Sequence, residues 1–280
     1  MSRGRMLYIR RKINATQSLM KITRAMEMVA RAKARRVEAE YRNFKPFLQE
    51  VEKLWRRIPK RFIVPSFFEK GDRELLVILS SDMGLCGAYN SELLRKAEEA
   101  LSSLKNPSLI LIGAKAANHF KNNQNVYKVY DKFYDVPEFS KASTVVEDIL
   151  TFLSKNGPAR VLVLYSHFKN VLIQQPRVYE LVPLEKEEST AEEYEYEPVP
   201  EILAPLVLHY YLSAKMLDFM FHGKLSEHYA RQNAMKNATD NAQEVIRRLT
   251  LEYNKARQAS ITEELIEIVT GAEALKEIEE

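Results

Sequence analysis

Apolar residues recur at alternating spacings of three and four near both ends of the chain. In residues 5–45 the recurring positions are Ile9, Ile13, Thr16, Met20, Thr23, Glu27, Ala30, Ala34 and Val37, a row that is imperfect because it includes one glutamate and two threonines. In residues 206–275 they are Met235, Ala238, Ala242, Val245, Leu249, Tyr253 and Ala256. This spacing is typical of a coiled-coil seam. We therefore predict two long helices that pair antiparallel along these seams.

The first of these helices has a second apolar row beside its seam, formed by Leu19, Ile22, Met26 and Val29. A helix that is apolar around most of its circumference must be buried on more than one side. One coiled-coil partner covers a single side, so we expect other proteins to surround this helix. A pair of helices within an ordinary bundle is the alternative, although neither stretch has enough helical neighbours in the sequence to complete one.

Between the two helices, short apolar runs alternate with helical patterns. Residues 75–81, 108–113 and 161–167 are typical of strands buried on both faces, and residues 178–184 of a further edge strand. Helical stretches at 90–105, 114–122 and 141–155 separate them. The pattern predicts a doubly wound, Rossmann-like α/β domain inserted between the coiled-coil helices. The predicted segments are a helix over 1–60, the α/β domain over 73–185, an acidic linker over 186–204 and a helix over 205–280.

Charge is strongly segregated along the chain. Residues 1–61 contain eighteen Lys or Arg and five Glu, whereas residues 185–201 contain eight Glu and one Lys. Residues 262–280 contain seven Glu and one Lys. This distribution suggests several partners of different sign. The sequence has neither an apolar run long enough to span a bilayer nor an apolar signal-peptide core, so we expect a cytosolic or peripheral protein.

The sequence offers little that is typical of catalysis. Gly84 and Gly87 follow a predicted strand and precede a helix, but their loop lacks both the third glycine of a dinucleotide fingerprint and the Gly-Lys-Ser/Thr of a P-loop. A tight turn is favoured over a nucleotide site. The five histidines have no metal-type spacing, and Cys86, the only cysteine, is expected to be a small buried apolar residue. We therefore expect no catalytic residue, metal or cofactor on this chain.

The basic first helix permits three interpretations. Its cations Lys21, Arg24, Arg31, Lys33, Arg35 and Arg36 lie beside the apolar positions Met20, Met26 and Met28. Methionines and a nearly continuous apolar circumference suit a protein surface better than phosphates. An acidic protein partner is therefore favoured, while a solvated basic face and a nucleic-acid-binding helix stay open as alternatives.

Three stretches resemble the γ subunit of the F-type ATP synthase, the rotating central shaft of that complex. Residues 22–30 (ITRAMEMVA) are similar to the family's ITKAMEMVA, and residues 81–87 (SDMGLCG) to its SDRGLCG. The third and longest comprises residues 234–242 (AMKNATDNA) and 253–262 (YNKARQASIT). Length and element order also agree across essentially the whole chain.

The resemblance implies a non-catalytic shaft that couples ion-driven rotation of a membrane c ring to sequential conformational change at three catalytic β subunits. The implied partners are the α and β subunits, an ε subunit and the c ring, with one copy per complex at the cytoplasmic face of a bacterial membrane. Neither a nucleic acid nor a small-molecule substrate is implied. The residues implied to contact β subunits are Arg24, Met26, Arg31, Lys33, Arg95, Arg257, Gln258 and Thr262. The apolar tip inside the α/β ring comprises Ile261, Leu265, Ile268 and Leu275, and the foot toward ε and the c ring comprises Tyr194, Tyr196 and Glu197.

Two departures from the family pattern stand out. Where the family usually has Asn-Thr-Gln, this chain has Ser18, Leu19 and Met20, which makes the helix more apolar. Met83 replaces the arginine of SDRGLCG, and Arg95 is the candidate to keep the corresponding contact with an acidic β loop. A nucleotide-dependent enzyme and a basic coiled-coil nucleic-acid binder stay open as rival functions.

Overall fold

The computed structural model describes residues 2–105, 107–185 and 195–279, with side chains described from residue 4 to residue 272. It divides into two compact units, one formed by residues 1–29 and 234–280 and the other by residues 30–233. Two long helices, α1 (Ser2–Arg57) and α5 (Pro200–Glu279), contribute to both units. This division follows packing, so the four segments expected from the sequence stay a prediction.

Helix α1 follows the predicted seam. Every seam position from Ile9 to Val37 is buried or half-buried, as predicted. The same spacing continues past the exposed Pro46, which lies inside the helix. The continuing positions, all buried or half-buried, are Tyr41, Phe44, Leu48, Val51 and Trp55. A helix can retain a proline where neighbouring side-chain packing compensates for the lost backbone hydrogen bond, and this apolar row supplies such packing.

Helix α5 is longer and less interrupted than the sequence suggests. It begins at Pro200 rather than at 205 and includes Pro205, Gly223 and Gly271 without a break. Pro205 is the sixth residue of the helix, so one intrahelical hydrogen bond is lost there, and the burial of the neighbouring Ala204, Val207 and Leu208 offsets this loss. In the seam, Met235, Ala242 and Leu249 are buried, and the intervening predicted positions are half-buried. The predicted second seam is therefore confirmed.

Within the smaller unit, a buried hydrogen bond fixes the pairing of the two helices. The hydroxyls of Thr23 and Thr239 lie 2.8 Å apart. Because the helices are antiparallel, residue numbers increase along α5 as they decrease along the facing part of α1. Ser260 is the last buried residue among the described side chains of α5, and every described side chain after it, at 261–272, is exposed.

The larger unit contains a five-stranded sheet in the order β3-β2-β1-β4-β5. Its strands are β1 (Arg73–Leu79), β2 (Ser108–Ile112), β3 (Val126–Tyr130), β4 (Ala159–Phe168) and β5 (Gln174–Val182). The first four are parallel, and β5 pairs antiparallel with β4. The sequence analysis missed β3, because this edge strand has a lysine at its centre and only Tyr130 is buried.

Helices cover both faces of this sheet. Helices α2 (Tyr89–Ser103) and α3 (Ala114–His119) pack on one face, against the alternate residues Leu76, Ile78 and Leu109. On the other face, Leu75, Val77 and Leu79 pack with α4 (Phe139–Asn156) and with residues of α1 and α5. Burial on both faces explains why the strands are continuously apolar and confirms the predicted doubly wound domain. None of the described helices is long and apolar enough to cross a membrane.

Candidate functional site: contact surfaces of the long helices

In doubly wound sheets, ligands bind where the strand order reverses, beyond the carboxyl ends of the strands. Here that position lies between β1 and β4, and α5 fills it. The Tyr89 hydroxyl donates to the carbonyl of Gly223 (3.2 Å), and the Ser226 hydroxyl donates to the carbonyl of Ser166 (3.0 Å). The crevice in which related folds hold nucleotides is therefore occupied by the protein's own helix.

The glycine loop after β1 is held by an arginine of α5. Arg231 donates to the carbonyls of Met83 and Gly84, each at 3.2 Å. Leu85 and Gly87 both have positive φ angles (61° and 58°), so the loop is a tight turn as predicted. The side chains of Met83 and Leu85 are 65% and 60% exposed, so the loop presents two apolar side chains to the outside.

Arg231 belongs to a buried ionic cluster on α5. Glu227 accepts from Lys224 (3.0 Å) and from Arg231 (2.9 Å), and all three residues are less than one-tenth exposed. Burial opposes ionisation of Glu227, but the two cations outweigh it and hold the pKa of this carboxyl below its usual value. The carboxylate of Glu227 thereby holds the Arg231 side chain in the position from which it bonds the glycine loop, and removing Glu227 would leave two buried cations without their anion.

An apolar row on α1 is left uncovered by the chain itself. Leu19, Ile22 and Val29 are 55–58% exposed, and Met28 is 66% exposed. Met26 is half-buried. Contiguous exposed apolar side chains on one helix mark an interaction surface. The expectation that the seam partner leaves this row bare is confirmed.

The end of α5 is a second uncovered surface. Residues 261–272 are all exposed, including Ile261 (49%), Leu265 (57%) and Ile268 (67%) of the predicted tip. Ile266 and Val269, which the sequence analysis did not select, are 59% and 56% exposed. The spacing of three between Ile266 and Val269 was the sequence pattern that could have placed them together on one face of the helix. Leu275 lies in α5, but its side chain is outside the described part.

The predicted polar contact residues fall into three groups. Arg24 and Arg31 are exposed on α1, where Lys33 forms a 2.8 Å ion pair with Asp135. Arg95 is exposed on α2 and pairs with Glu99. On α5, Arg257, Gln258 and Thr262 are exposed within two turns, and the Thr262 hydroxyl donates to the carbonyl of Gln258 at 2.9 Å. Two of the cations therefore already have a carboxylate partner in this chain.

The predicted foot is only partly described. The hydroxyl of Tyr196, which is half-buried, donates to the carbonyl of Arg57 at 3.0 Å, close to the end of α1. Glu197 is exposed. Tyr194 lies outside the described residues. Among the described residues, no group of histidine, cysteine, aspartate and glutamate side chains is arranged to hold a metal ion.

A family model described as ATP synthase matches residues 5–275. The ATP synthase gamma chain of Halothermothrix orenii is 36% identical over 281 residues, covering 96% of this chain and 98% of that protein. The chain belongs to the ATP synthase gamma chain family. The gamma chain of Moorella thermoacetica is 34% identical over 276 residues, covering 96% of this chain and 98% of its own length. The resemblance found in the sequence is thereby confirmed, and with it the role of a central shaft.

Chains of solved ATP synthase structures share this fold. A chain of the Euglena gracilis mitochondrial ATP synthase (OSCP/F1/c-ring, rotational state 3) superposes with a TM-score of 0.71 at 20% identity, covering 97% of this chain and 95% of that chain. A chain of the Tetrahymena thermophila mitochondrial ATP synthase (central stalk/c-ring) superposes with a TM-score of 0.63 at 23% identity, covering 78% and 99%. The two long helices and the inserted sheet are thus the architecture of this gamma chain family.

Proposed function

We propose that this gamma chain turns inside a ring of three α and three β subunits and carries torque between them and a membrane c ring. It also contacts an ε subunit, is present in one copy per complex and lies at the cytoplasmic face of a bacterial membrane. The observation that carries this proposal is the pair of uncovered apolar surfaces, on α1 around Ile22 and on α5 after Ser260. Family membership supplies the context in which such surfaces are enclosed by other subunits.

The end of α5 suits a rotating contact. Apolar contacts are non-directional, so they allow rotation with lower barriers than fixed hydrogen bonds would. The exposed Ile261, Leu265 and Ile268, with Leu275, supply such contacts. Polar contacts with β loops would be made by the exposed Arg257 and Gln258 and the neighbouring Thr262. These contacts would favour particular rotational angles of the shaft.

The basic helix α1 suits an acidic partner. Arg24 and Arg31 are exposed beside the half-buried Met26, so charge and apolar area are presented together. Lys33 would reach a β loop only by giving up or sharing Asp135. Arg95 shares Glu99 with Lys96 in the same way. These contacts would differ from one β subunit to the next, and a partner shifts a conformational equilibrium only through such differential contact energy.

The foot would be formed by the α/β domain with Tyr194, Tyr196 and Glu197. The bond from Tyr196 to Arg57 ties this segment to the end of α1. A foot tied to the shaft helix would transmit rotation from the c ring directly into α1.

Reconstitution tests the proposal. The full chain should co-purify with α and β subunits, and the assembly should hydrolyse ATP, while the chain alone neither hydrolyses ATP nor binds it at micromolar concentration. ATP hydrolysis or micromolar nucleotide binding by the purified chain would favour the enzyme alternative. Strongly salt-dependent affinity for DNA would favour the nucleic-acid alternative.

Deletion of residues 261–280 tests the tip separately. The deletion should weaken assembly or torque while leaving the circular dichroism of the α/β domain unchanged, because the described side chains from 261 to 272 are all exposed. A matched control is Val129→Glu, which places a charge at a 45% exposed position on the edge strand β3. This control should assemble with α and β subunits normally, because Val129 lies outside the tip. Loss of the α/β signal on deletion would refute this assignment of the tip.

A further inference from the structure

A chain of polar groups crosses the core of the larger unit between α1, β4 and α5. The Tyr41 hydroxyl donates to Asp218 Oδ1 at 3.0 Å and lies 3.1 Å from His222 Nε2. On the opposite edge of the same imidazole, the backbone amide of Phe168 donates to His222 Nδ1 at 3.2 Å. The side chains of His222 and Asp218 are only 12% and 15% exposed.

The hydrogen bonds fix the protonation state of the ring. The Phe168 amide can only donate, so His222 Nδ1 must present a lone pair. The single hydroxyl proton of Tyr41 is directed at Asp218, so the bond between Tyr41 and His222 requires a proton on Nε2. A neutral imidazole protonated at Nε2 is the state that satisfies all three bonds at once.

A second proton is incompatible with this arrangement. It would have to enter at His222 Nδ1, where it would face the Phe168 N–H, and two donors cannot share a hydrogen bond. Phe168 is the last residue of β4 and precedes the connection 169–173 to β5. Protonation of His222 would therefore break the bond between the Phe168 amide and α5.

The surroundings offer little compensation for a positive charge. The titratable or charged groups that face this imidazole are Tyr41 and Lys45 of α1, Tyr165 and His167 of β4, Arg177 of β5 and Asp218 of α5. The His167 ring stacks on it at 4.5 Å between centroids. Burial, then His167 and Lys45, lower the pKa of His222 to about 4, while burial raises the pKa of Asp218 and so weakens the nearby acid.

We propose that Asp218, Tyr41, His222 and the Phe168 amide form a proton-sensitive lock, closed while His222 is neutral and opened when Nδ1 takes a proton. Opening stays local, because two bonds without titrating groups hold the adjacent backbone to α5. Ser226 bonds the carbonyl of Ser166 (3.0 Å), and Asn233 bonds the carbonyl of Val171 (2.8 Å). Acidification would thus free the Phe168 amide, while Ser166 and Val171 on either side of it stay bonded to α5 and the sheet stays folded.

Hydrogen exchange of the Phe168 amide in the full chain, divided by the intrinsic rate at each pH, tests the lock. With a ring pKa of about 4 when closed and about 6.5 when open, the opening constant should rise roughly twentyfold from near pH 7 to near pH 5. In His222→Asn the side-chain oxygen still accepts from Phe168 but does not titrate, so the rise should fall to less than about twofold. His119→Asn is the matched control, because this 37% exposed ring pairs with Glu98 instead. It should keep the full response.

A second measurement does not depend on any variant folding. The side-chain nitrogen resonances of His222 in the unsubstituted chain should show Nε2 protonated and Nδ1 unprotonated near pH 7. A proton on Nδ1 at that pH would overturn the proposal. So would an equal pH response of the Phe168 amide in His222→Asn and in the unsubstituted chain.

Discussion

Helix α5 contains two stretches with similar proportions of large apolar residues and opposite surroundings. From Ala204 to Arg231 most side chains are buried, and the buried ones include the charged Lys224 and Glu227. From Ile261 to Ala272 every residue is exposed, although five are large and apolar. The difference is therefore one of available neighbours rather than of residue type. The first stretch packs against β4 and α1, whereas no part of the chain that the structure describes covers the second.

This contrast predicts where the chain depends on α5 for stability, and the largest effect is expected at the ionic cluster. Glu227→Gln should lower the free energy of unfolding by about 3–5 kcal/mol, because it leaves Lys224 and Arg231 buried without their anion. Urea denaturation of the full chain, followed by circular dichroism, measures this. Lys53→Met breaks the exposed pair with Glu50 and should cost less than about 1 kcal/mol. Equal losses in the two variants would contradict the assignment.

A cavity in the buried stretch should cost slightly less. Leu212 is fully buried, so Leu212→Ala should lower the free energy of unfolding by about 2–5 kcal/mol, depending on how far neighbouring side chains relax. The same urea titration applies. A loss below about 1 kcal/mol would show that α5 is not packed as tightly there as its burial indicates.

Acid should destabilise the buried stretch through its histidines. Burial outweighs Glu227 and, with Lys224 and Arg231, lowers the pKa of His228 to about 4, against about 6.5 in the unfolded chain. The unfolded state therefore binds more protons between these values, and stability falls as the pH drops through that window. From near pH 7 to near pH 5 the loss from this group should be roughly 2 kcal/mol.

His228→Gln isolates that contribution. Its free energy of unfolding should fall by roughly 2 kcal/mol less than that of the unsubstituted chain over the same pH interval, since glutamine does not titrate. His222 retains its own pH dependence in this variant. If the free energy of unfolding fell by the same amount in the variant and in the unsubstituted chain, His228 would already be protonated in the folded chain near pH 5.

The smaller unit should respond more weakly to the loss of one hydrogen bond. Thr239→Val removes the buried bond to Thr23 and should cost about 1 kcal/mol. Thr23→Val with Thr239→Val should cost less than the two single changes added together, because no unpaired hydroxyl is left. A double-mutant cycle by urea denaturation measures the difference, and strict additivity would contradict the bond.

The smallest effect on stability is expected at the exposed end. Leu265→Ala should change the free energy of unfolding by less than about 0.5 kcal/mol, because the side chain is 57% exposed. The same variant should reduce the torque or coupling of the reconstituted complex if the tip is enclosed by α and β subunits. A large loss of stability in the isolated chain would show that the exposed end packs against the chain itself.

Local patterns in the sequence predicted much of this fold. Periodic apolar spacing predicted the seam positions Ile9 and Leu249, and a continuous apolar run predicted the buried strand at 75–79. Both patterns are visible within a single stretch of sequence. The edge strand β3 was not predicted, because the strand is short and most of its side chains are not buried. The start of α5 at Pro200 was not predicted, because proline is compatible with the first turn of a helix as well as with a loop.

The contact surfaces were likewise predictable from the sequence only in part. An apolar row that exceeds one seam, as around Ile22, predicts by itself that another protein covers it. The partners already present within the chain, such as Asp135 for Lys33, were not predictable, because these residues are far apart in the sequence. Which β loop each exposed cation would meet depends on geometry between chains and stays a prediction.

The sequence by itself determined that two heptad helices flank an α/β domain, that more apolar surface exists than the chain can cover, and that the chain belongs with gamma chains. Only the tertiary structure decided that α5 fills the crevice of the sheet, that Arg231 holds the loop of Met83 and that the Phe168 amide donates to His222 Nδ1. The physical reason is distance along the chain. Periodicity records the environment of neighbouring residues, whereas hydrogen bonds and buried charges depend on which distant residues the fold brings within 3–4 Å.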